Sequence, residues 1–217
     1  MNKSEVIEKT REFVRKEMEG EGSGHDWWHI DRVTKTALTI GKEEKADLFI
    51  VELGALLHDI ADQKFHNGDE TVGPRVATQW LESLNTEQYV IDAVCQIIKD
   101  ISYKGANTAT PMKTLEGQIV QDADRLDALG AVGIARCFAY GGHKQQPIHS
   151  PDINPINHAT FEEYKKTKTT SINHFYEKLL LLKDRINTES GKKIAQERDL
   201  FMQQFLDQFF AESEGLN

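Results

Sequence analysis

The sequence predicts an all-α protein, and three observations predict it. Apolar residues recur at three- and four-residue intervals in segment after segment, as in Val90, Val94, Ile97, Ile98 and Ile101. The turn-forming clusters Gly20-Glu21-Gly22-Ser23-Gly24, Asn67-Gly68 and Gly73-Pro74 fall between those segments. No stretch carries a strand signal, and there is no internal repeat or low-complexity region.

Residues 3 to 19 alternate charge with Val6, Ile7, Phe13 and Val14, an amphipathic first helix that the glycine-rich turn ends. A helix over about 27 to 42 follows, then a central one over about 46 to 60. Residues 65 to 73 read as a connection, Val76 to Leu84 as a helix carrying Trp80 and Leu81, and Asn85 or Thr86 as the start of the next. Ser102 to Pro111 is a polar loop. Helices over about 114 to 128 and 130 to 140 come next, the second with the small residues Gly130, Ala131, Gly133 and Ala135. Gly141 to about Thr160 holds three of the five prolines and reads as a long irregular segment, functional or a solvated connection. Two last helices are expected over about 161 to 186 and 189 to 213. The Phe-rich last one is core by default, with a homodimer surface as the other reading.

The 217 residues suffice for one domain with a substantial core, and 39% hydrophobic with 28% charged residues is ordinary for a soluble globular chain. No run reaches the roughly 18 apolar residues of a membrane span, and no cationic leader precedes an apolar stretch. Cys95 and Cys137 sit in apolar helical patterns and read as reduced core thiols of a cytoplasmic protein. A net charge of −9 argues against a nucleic-acid polymer as partner, since phosphate backbones are bound through clustered Lys and Arg. A small phosphorylated substrate stays open, because a bound cation and a few basic side chains reverse the field within a pocket.

The chemistry gathers in three clusters. The apolar run Val51 to Leu57 ends in His58, Asp59, Asp62 and Lys64, and burying carboxylates beside an imidazole calls for a metal or a charge partner. On a helix His58 and Asp62 are four apart and Asp59 and Asp62 three apart, so they converge near the helix end. In Gly24 to Val33, Asp26 fits an N-cap, which puts His29 at the third helical position. In Ile119 to Gly130, Asp122, Asp124 and Asp127 interrupt an apolar helix. His29, His58, Asp59 and Asp124 together offer two imidazole nitrogens and two carboxylates to a metal. His66, His149 and His158 read instead as ordinary surface or satisfied core residues.

In the stretches HDWWHIDRV, ALLHDIADQK and QDADRLDALGAVGIAR, and in the later TSINHFYEKLLLLKD, the chain resembles the HD superfamily of metal-dependent phosphohydrolases, in particular a bacterial subfamily of single-domain HD hydrolases. The resemblance covers nearly the whole chain. It implies one helical-bundle HD domain over 1–217, with a core of about 25 to 130 on which C-terminal helices over about 161 to 213 pack. It also implies His29, His58, Asp59 and Asp124 as ligands of a divalent ion. Dinuclear HD sites recruit further histidines, and His66 alone lies between Asp59 and Asp124, so one ion is expected. Two His and two Asp with water suit octahedral Mn²⁺ first, with Fe, Co, Ni or Mg as alternatives, better than a closed zinc site.

Asp62 matches the family's acidic position after the HD pair and is the expected general base, with Glu52 a weaker second. Lys64 is the first cation for phosphate and Arg32 the second, Arg32 being also able to pair with Asp59 or Asp124. Lys104, Arg136 and Lys144 flank loops expected to border the pocket, while His25 is expected near phosphate and Asp127 is expected to orient a ligand or helix. The resembled subfamily implies a nucleotide substrate, with a (deoxy)nucleoside triphosphate cut to monophosphate and pyrophosphate as the leading expectation. The 141 to 160 segment, with Tyr140, Tyr164 and Lys165 to Lys168, is then a lid or a solvated connection. The alternatives are a 5′-nucleotidase, a cyclic-nucleotide phosphodiesterase and a non-catalytic nucleotide-sensing HD domain. A di-iron oxygenase is disfavoured by the missing histidines.

Overall fold

The computed structural model describes residues 1–18, 26–60, 69, 71–101, 111–156 and 169–216. Among them lie nine α-helices and no strand, so the fold is all-α. The helices are α1 (Lys3–Glu17), α2 (Trp27–Glu44), α3 (Leu48–Leu57), α4 (Val72–Ser83), α5 (Gln88–Asp100), α6 (Leu115–Asp127), α7 (Gly130–His143), α8 (Ser171–Glu177) and α9 (Glu189–Ser213). They form two compact units, the first built from α1 to α5 with α6 up to Ala123, the second from Asp124 onward. No helix among the described residues is long and apolar enough to cross a membrane. Cys95 and Cys137 are free thiols, and burial pushes Cys137 up to about 12.

In the first unit α3 is the centre, packed by α1, α2 and α5. Its Val51, Leu53, Ala55, Leu56 and Leu57 are fully buried, each Leu side chain stabilising by about 2 kcal/mol through burial. Gly54 lets neighbours close in, since a Cβ there would lie 3.1 Å from Ile97 Cδ1 on α5 and 3.4 Å from Val120 Cγ2 on α6. The helix α1 opens on a capping box that the sequence reading did not name: the Asn2 side chain accepts from Glu5 N–H at 2.9 Å, and Glu5 Oε2 accepts from Asn2 N–H at 3.0 Å. It is anchored by Phe13 stacked on Trp80 at 4.1 Å and by Trp80 Nε1–H donating to Thr10 Oγ1 at 3.0 Å.

Two boundaries differ from expectation. The helix α4 begins at Val72, before Gly73-Pro74, which the sequence reading had placed in a connection. Proline in a first helical turn is tolerated because its missing N–H would have had no partner there. Asn85 does not start the next helix. At φ 54° it terminates α4, with Asn85 N–H and Thr86 N–H on the carbonyls of Glu82 and Leu81, and α5 starts at Gln88.

In the second unit Gly130 opens α7 at φ +69°, and a Cβ at Gly133 would overlap the Ala128 carbonyl. Asp127 Oδ2 accepts from Arg136 Nη1 at 2.5 Å, tying the end of α6 to α7. Phe205 of α9 packs on Phe138 and Phe175, with ring centroids 5.8 Å away in both cases, so this part of the last helix is intramolecular core. The continuous helix expected over 161 to 186 is not formed in its described part. The helix α8 starts at a Thr170 cap and stops at Glu177, Lys178 leaves helical geometry at φ −144°, and the short 3₁₀ turns Leu179–Leu181 and Lys183–Arg185 follow. From the 141 to 160 segment, residues 147 to 156 are fastened to α8. Ser171 and Ile172 N–H donate to the carbonyls of Pro147 and Ile148, Asn173 Nδ2–H donates to the Ile153 carbonyl, and Ile156 N–H donates to Glu177 Oε1.

Candidate metal centre

The first helix turn of α2 and the last of α3 bring three of the expected side chains together. Asp26 is the N-cap of α2 and accepts from the backbone N–H of His29 at 2.9 Å, which fixes His29 at the third helical position as its spacing predicts. His58 is the C-cap of α3, and Asp59 and Ile60 follow in a turn closed by Ile60 N–H on the Leu57 carbonyl at 3.2 Å. The HD pair therefore sits on the turn that ends the apolar helix, a few residues earlier than the expected end near 60.

One donor atom each from His29, His58 and Asp59 lies within 4.8 Å of the others, a group that satisfies the reach of a single ion. His29 Nε2 is 3.5 Å and His58 Nε2 3.6 Å from Asp59 Oδ2, and the two rings meet edge to face at 5.3 Å. Donors about 2.1 Å from one ion stand about 3.0 Å apart when cis in an octahedron and about 3.4 Å apart in a tetrahedron. The observed spacings lie close to those values. Both imidazole side chains are 1% exposed and the Asp59 side chain 16%, so the open side of the group is the carboxylate side.

The tautomer of His58 is fixed by its surroundings. Its Nδ1 lies 2.8 Å from the Ala55 carbonyl oxygen, and a carbonyl only accepts, so Nδ1 carries a proton, and in the neutral ring it is Nε2 that turns a lone pair toward Asp59 and His29. A backbone carbonyl orienting the far nitrogen of a ligand histidine is the usual support of a metal site. Ala55 carries no sequence signal of this role, because the group involved belongs to the backbone.

The remaining candidates are placed as follows. Asp124 is half-buried on α6 and belongs to the second unit. Arg32 is half-buried, three residues beyond His29 on α2. Glu52, the weaker base candidate, accepts at Oε1 from Arg11 Nη2 at 2.9 Å and is thus committed to an ion pair. Arg136 is paired with Asp127, and Lys144 Nζ lies 5.6 Å from the centre of the Tyr140 ring. His149 is half-buried and packs edge to face against Phe209 and Phe210. Asp62, Lys64, His25, Lys104, His66, His158, Tyr164 and Lys165 to Lys168 lie outside the described residues.

Comparison with known proteins agrees with this geometry. The HD domain profile matches residues 27–129, from the start of α2 to the residue before α7. A Bacillus thuringiensis protein described as an HD-superfamily hydrolase superposes with a TM-score of 0.79 at 44% identity, over 98% of this chain and 99% of that one. YpgQ of Bacillus subtilis is 37% identical over 219 residues, 100% of this chain and 98% of YpgQ. Its crystal structure in complex with ADP superposes with a TM-score of 0.76, over 97% of this chain and all of that one. The histidines and the aspartate that converge here fall inside the matched domain, and the chain belongs to the HD superfamily of metal-dependent phosphohydrolases.

Proposed function

We propose that this hydrolase cleaves (deoxy)nucleoside triphosphates to monophosphate and pyrophosphate with a single Mn²⁺. The observation that carries the reading is the triangle of His29, His58 and Asp59, with His58 locked in the tautomer a metal needs. The ADP complex of YpgQ supports a nucleotide ligand. Asp124, the last acidic residue of the H…HD…D order, is proposed as the fourth ligand, which would leave room for water and substrate at a bound ion. We take residues 1–217 to work as one HD domain in the cytoplasm.

When bound, the ion supplies Lewis-acid polarisation of a phosphoryl oxygen and a lowered pKa for a coordinated water. His29 and His58 contribute neutral nitrogens, and the Ala55 carbonyl keeps the second ring from turning. Asp62 takes the proton of the attacking water as general base. Lys64 and then Arg32 offset the charge that grows on the leaving pyrophosphate. His25, Lys104, Arg136 and Lys144 are further candidates for holding phosphate or base.

The test is to incubate purified protein with each divalent metal and a panel of nucleotides and to resolve the products by chromatography. Deoxynucleoside monophosphate and pyrophosphate in equal amounts, fastest with Mn²⁺, are expected. Inorganic phosphate with the diphosphate would contradict the reading. So would consumption of monophosphates or cyclic nucleotides with triphosphates untouched.

A further inference from the structure

Resting on the metal centre proposed above, we infer that Arg11 is a positioning residue for it, a guanidinium on α1 that holds the two ligand-bearing helices in register. Its Nη2 donates to Glu52 Oε1 of α3 at 2.9 Å, and its Nη1 reaches Asp31 Oδ1 of α2 at 3.5 Å. Its Cζ also lies 6.0 Å from the centre of the Trp27 ring. Trp27 and Asp31 stand two residues before and two after His29, while Glu52 stands six before His58. One side chain therefore touches α2 on both sides of one ligand and α3 upstream of the other.

Arg11 is itself well anchored. Its neighbour Thr10 is fully buried, donates to the Val6 carbonyl at 2.7 Å and accepts from Trp80, and Phe13 stacks on Trp80 half a turn further on. The planar fork of arginine reaches two carboxylates at once, which a lysine ammonium on a flexible stem does not reproduce. Glu52 and Asp31 are 19% and 13% exposed and Arg11 29%, so the two contacts are partly buried and loss of the guanidinium leaves two carboxylates without it. Its effect falls on geometry, because His29 Nε2 and His58 Nε2 meet Asp59 only if α2 and α3 keep their relative rotation.

The metal-free protein titrated with Mn²⁺ by calorimetry tests this. Arg11→Ala weakens Mn²⁺ binding by about tenfold, the usual size for loss of an outer partner of a metal site. Arg11→Lys folds as the wild type does and loses most of the same affinity. Lys35→Ala removes a pair with Asp31 inside α2 alone, at 2.6 Å, and leaves affinity within about twofold. In the metal-free protein, ¹⁵N spectra of the imidazoles shift for His29 and His58 in both Arg11 variants, with the thermal midpoint of Arg11→Lys held within about 2 °C of wild type. Unchanged affinity in both variants overturns the inference, and so does an affinity loss matched by Lys35→Ala or by general destabilisation. Wild-type protein that binds neither Mn²⁺ nor Fe²⁺, Co²⁺, Ni²⁺ or Mg²⁺ overturns the metal centre itself and this inference with it.

Discussion

In the first unit the rings of His29 and His58 are buried with an aspartate oxygen 3.5 and 3.6 Å from their Nε2 atoms; in the second, His174 is half-buried on α8 one turn before Lys178. Burial holds the His174 pKa down to about 3, and the Lys178 ammonium adds to the effect. His149 is likewise half-buried, set against Phe209 and Phe210. Burial alone therefore does not make a histidine functional. A carboxylate at the ring nitrogen creates a place for a cation, whereas an ammonium nearby excludes one.

Removing the carboxylate or an imidazole from the first region breaks the contrast and carries the largest expected effect. His58→Ala or Asp59→Asn lowers Mn²⁺ affinity by more than about a hundredfold and abolishes measurable turnover, and chelation of wild-type protein does the same until metal is restored. Calorimetry and single-turnover hydrolysis read both. Asp62→Ala separates holding the ion from using it: turnover falls by about 10²- to 10⁴-fold while the Mn²⁺ dissociation constant stays near the wild-type value.

His174 should show only in stability. His174 is near 6.5 when unfolded and about 3 when folded, so between these values the unfolded chain binds the extra proton. The stability it contributes is complete above about pH 6.5 and is lost as pH falls toward 3, amounting to about 3 kcal/mol at pH 4. Urea unfolding of His174→Gln across that range should lose this part of the slope while Mn²⁺ binding at neutral pH is unchanged. Lys178→Met sharpens the same contrast least, recovering under about 1 kcal/mol at pH 4, because burial is the larger cause.

The three converging side chains were legible because each sits where the chain is locally over-determined. Asp26 caps α2 and so fixes the phase of His29, and the apolar run Val51 to Leu57 can only end where His58 and Asp59 begin. What escaped depends on tertiary or backbone partners. Nothing in the first helix's pattern distinguishes Arg11 from other surface charges, and the Ala55 carbonyl has no sequence signature at all. The apolar run Leu179 to Leu182 fits a helix and a chain of 3₁₀ turns equally well, so its break at Lys178 was invisible to periodicity. Pro74 was misread as a boundary because a proline in a first helical turn looks the same in sequence as one in a loop.

The central claim is that imidazole nitrogens from α2 and the end of α3 share one ion with Asp59. A crystal grown with Mn²⁺ and recorded at the manganese absorption edge tests it most directly. The account predicts one anomalous peak, about 2.2 Å from His29 Nε2, His58 Nε2 and an Asp59 oxygen. A map without a peak at those three side chains, or with two peaks there, would contradict it.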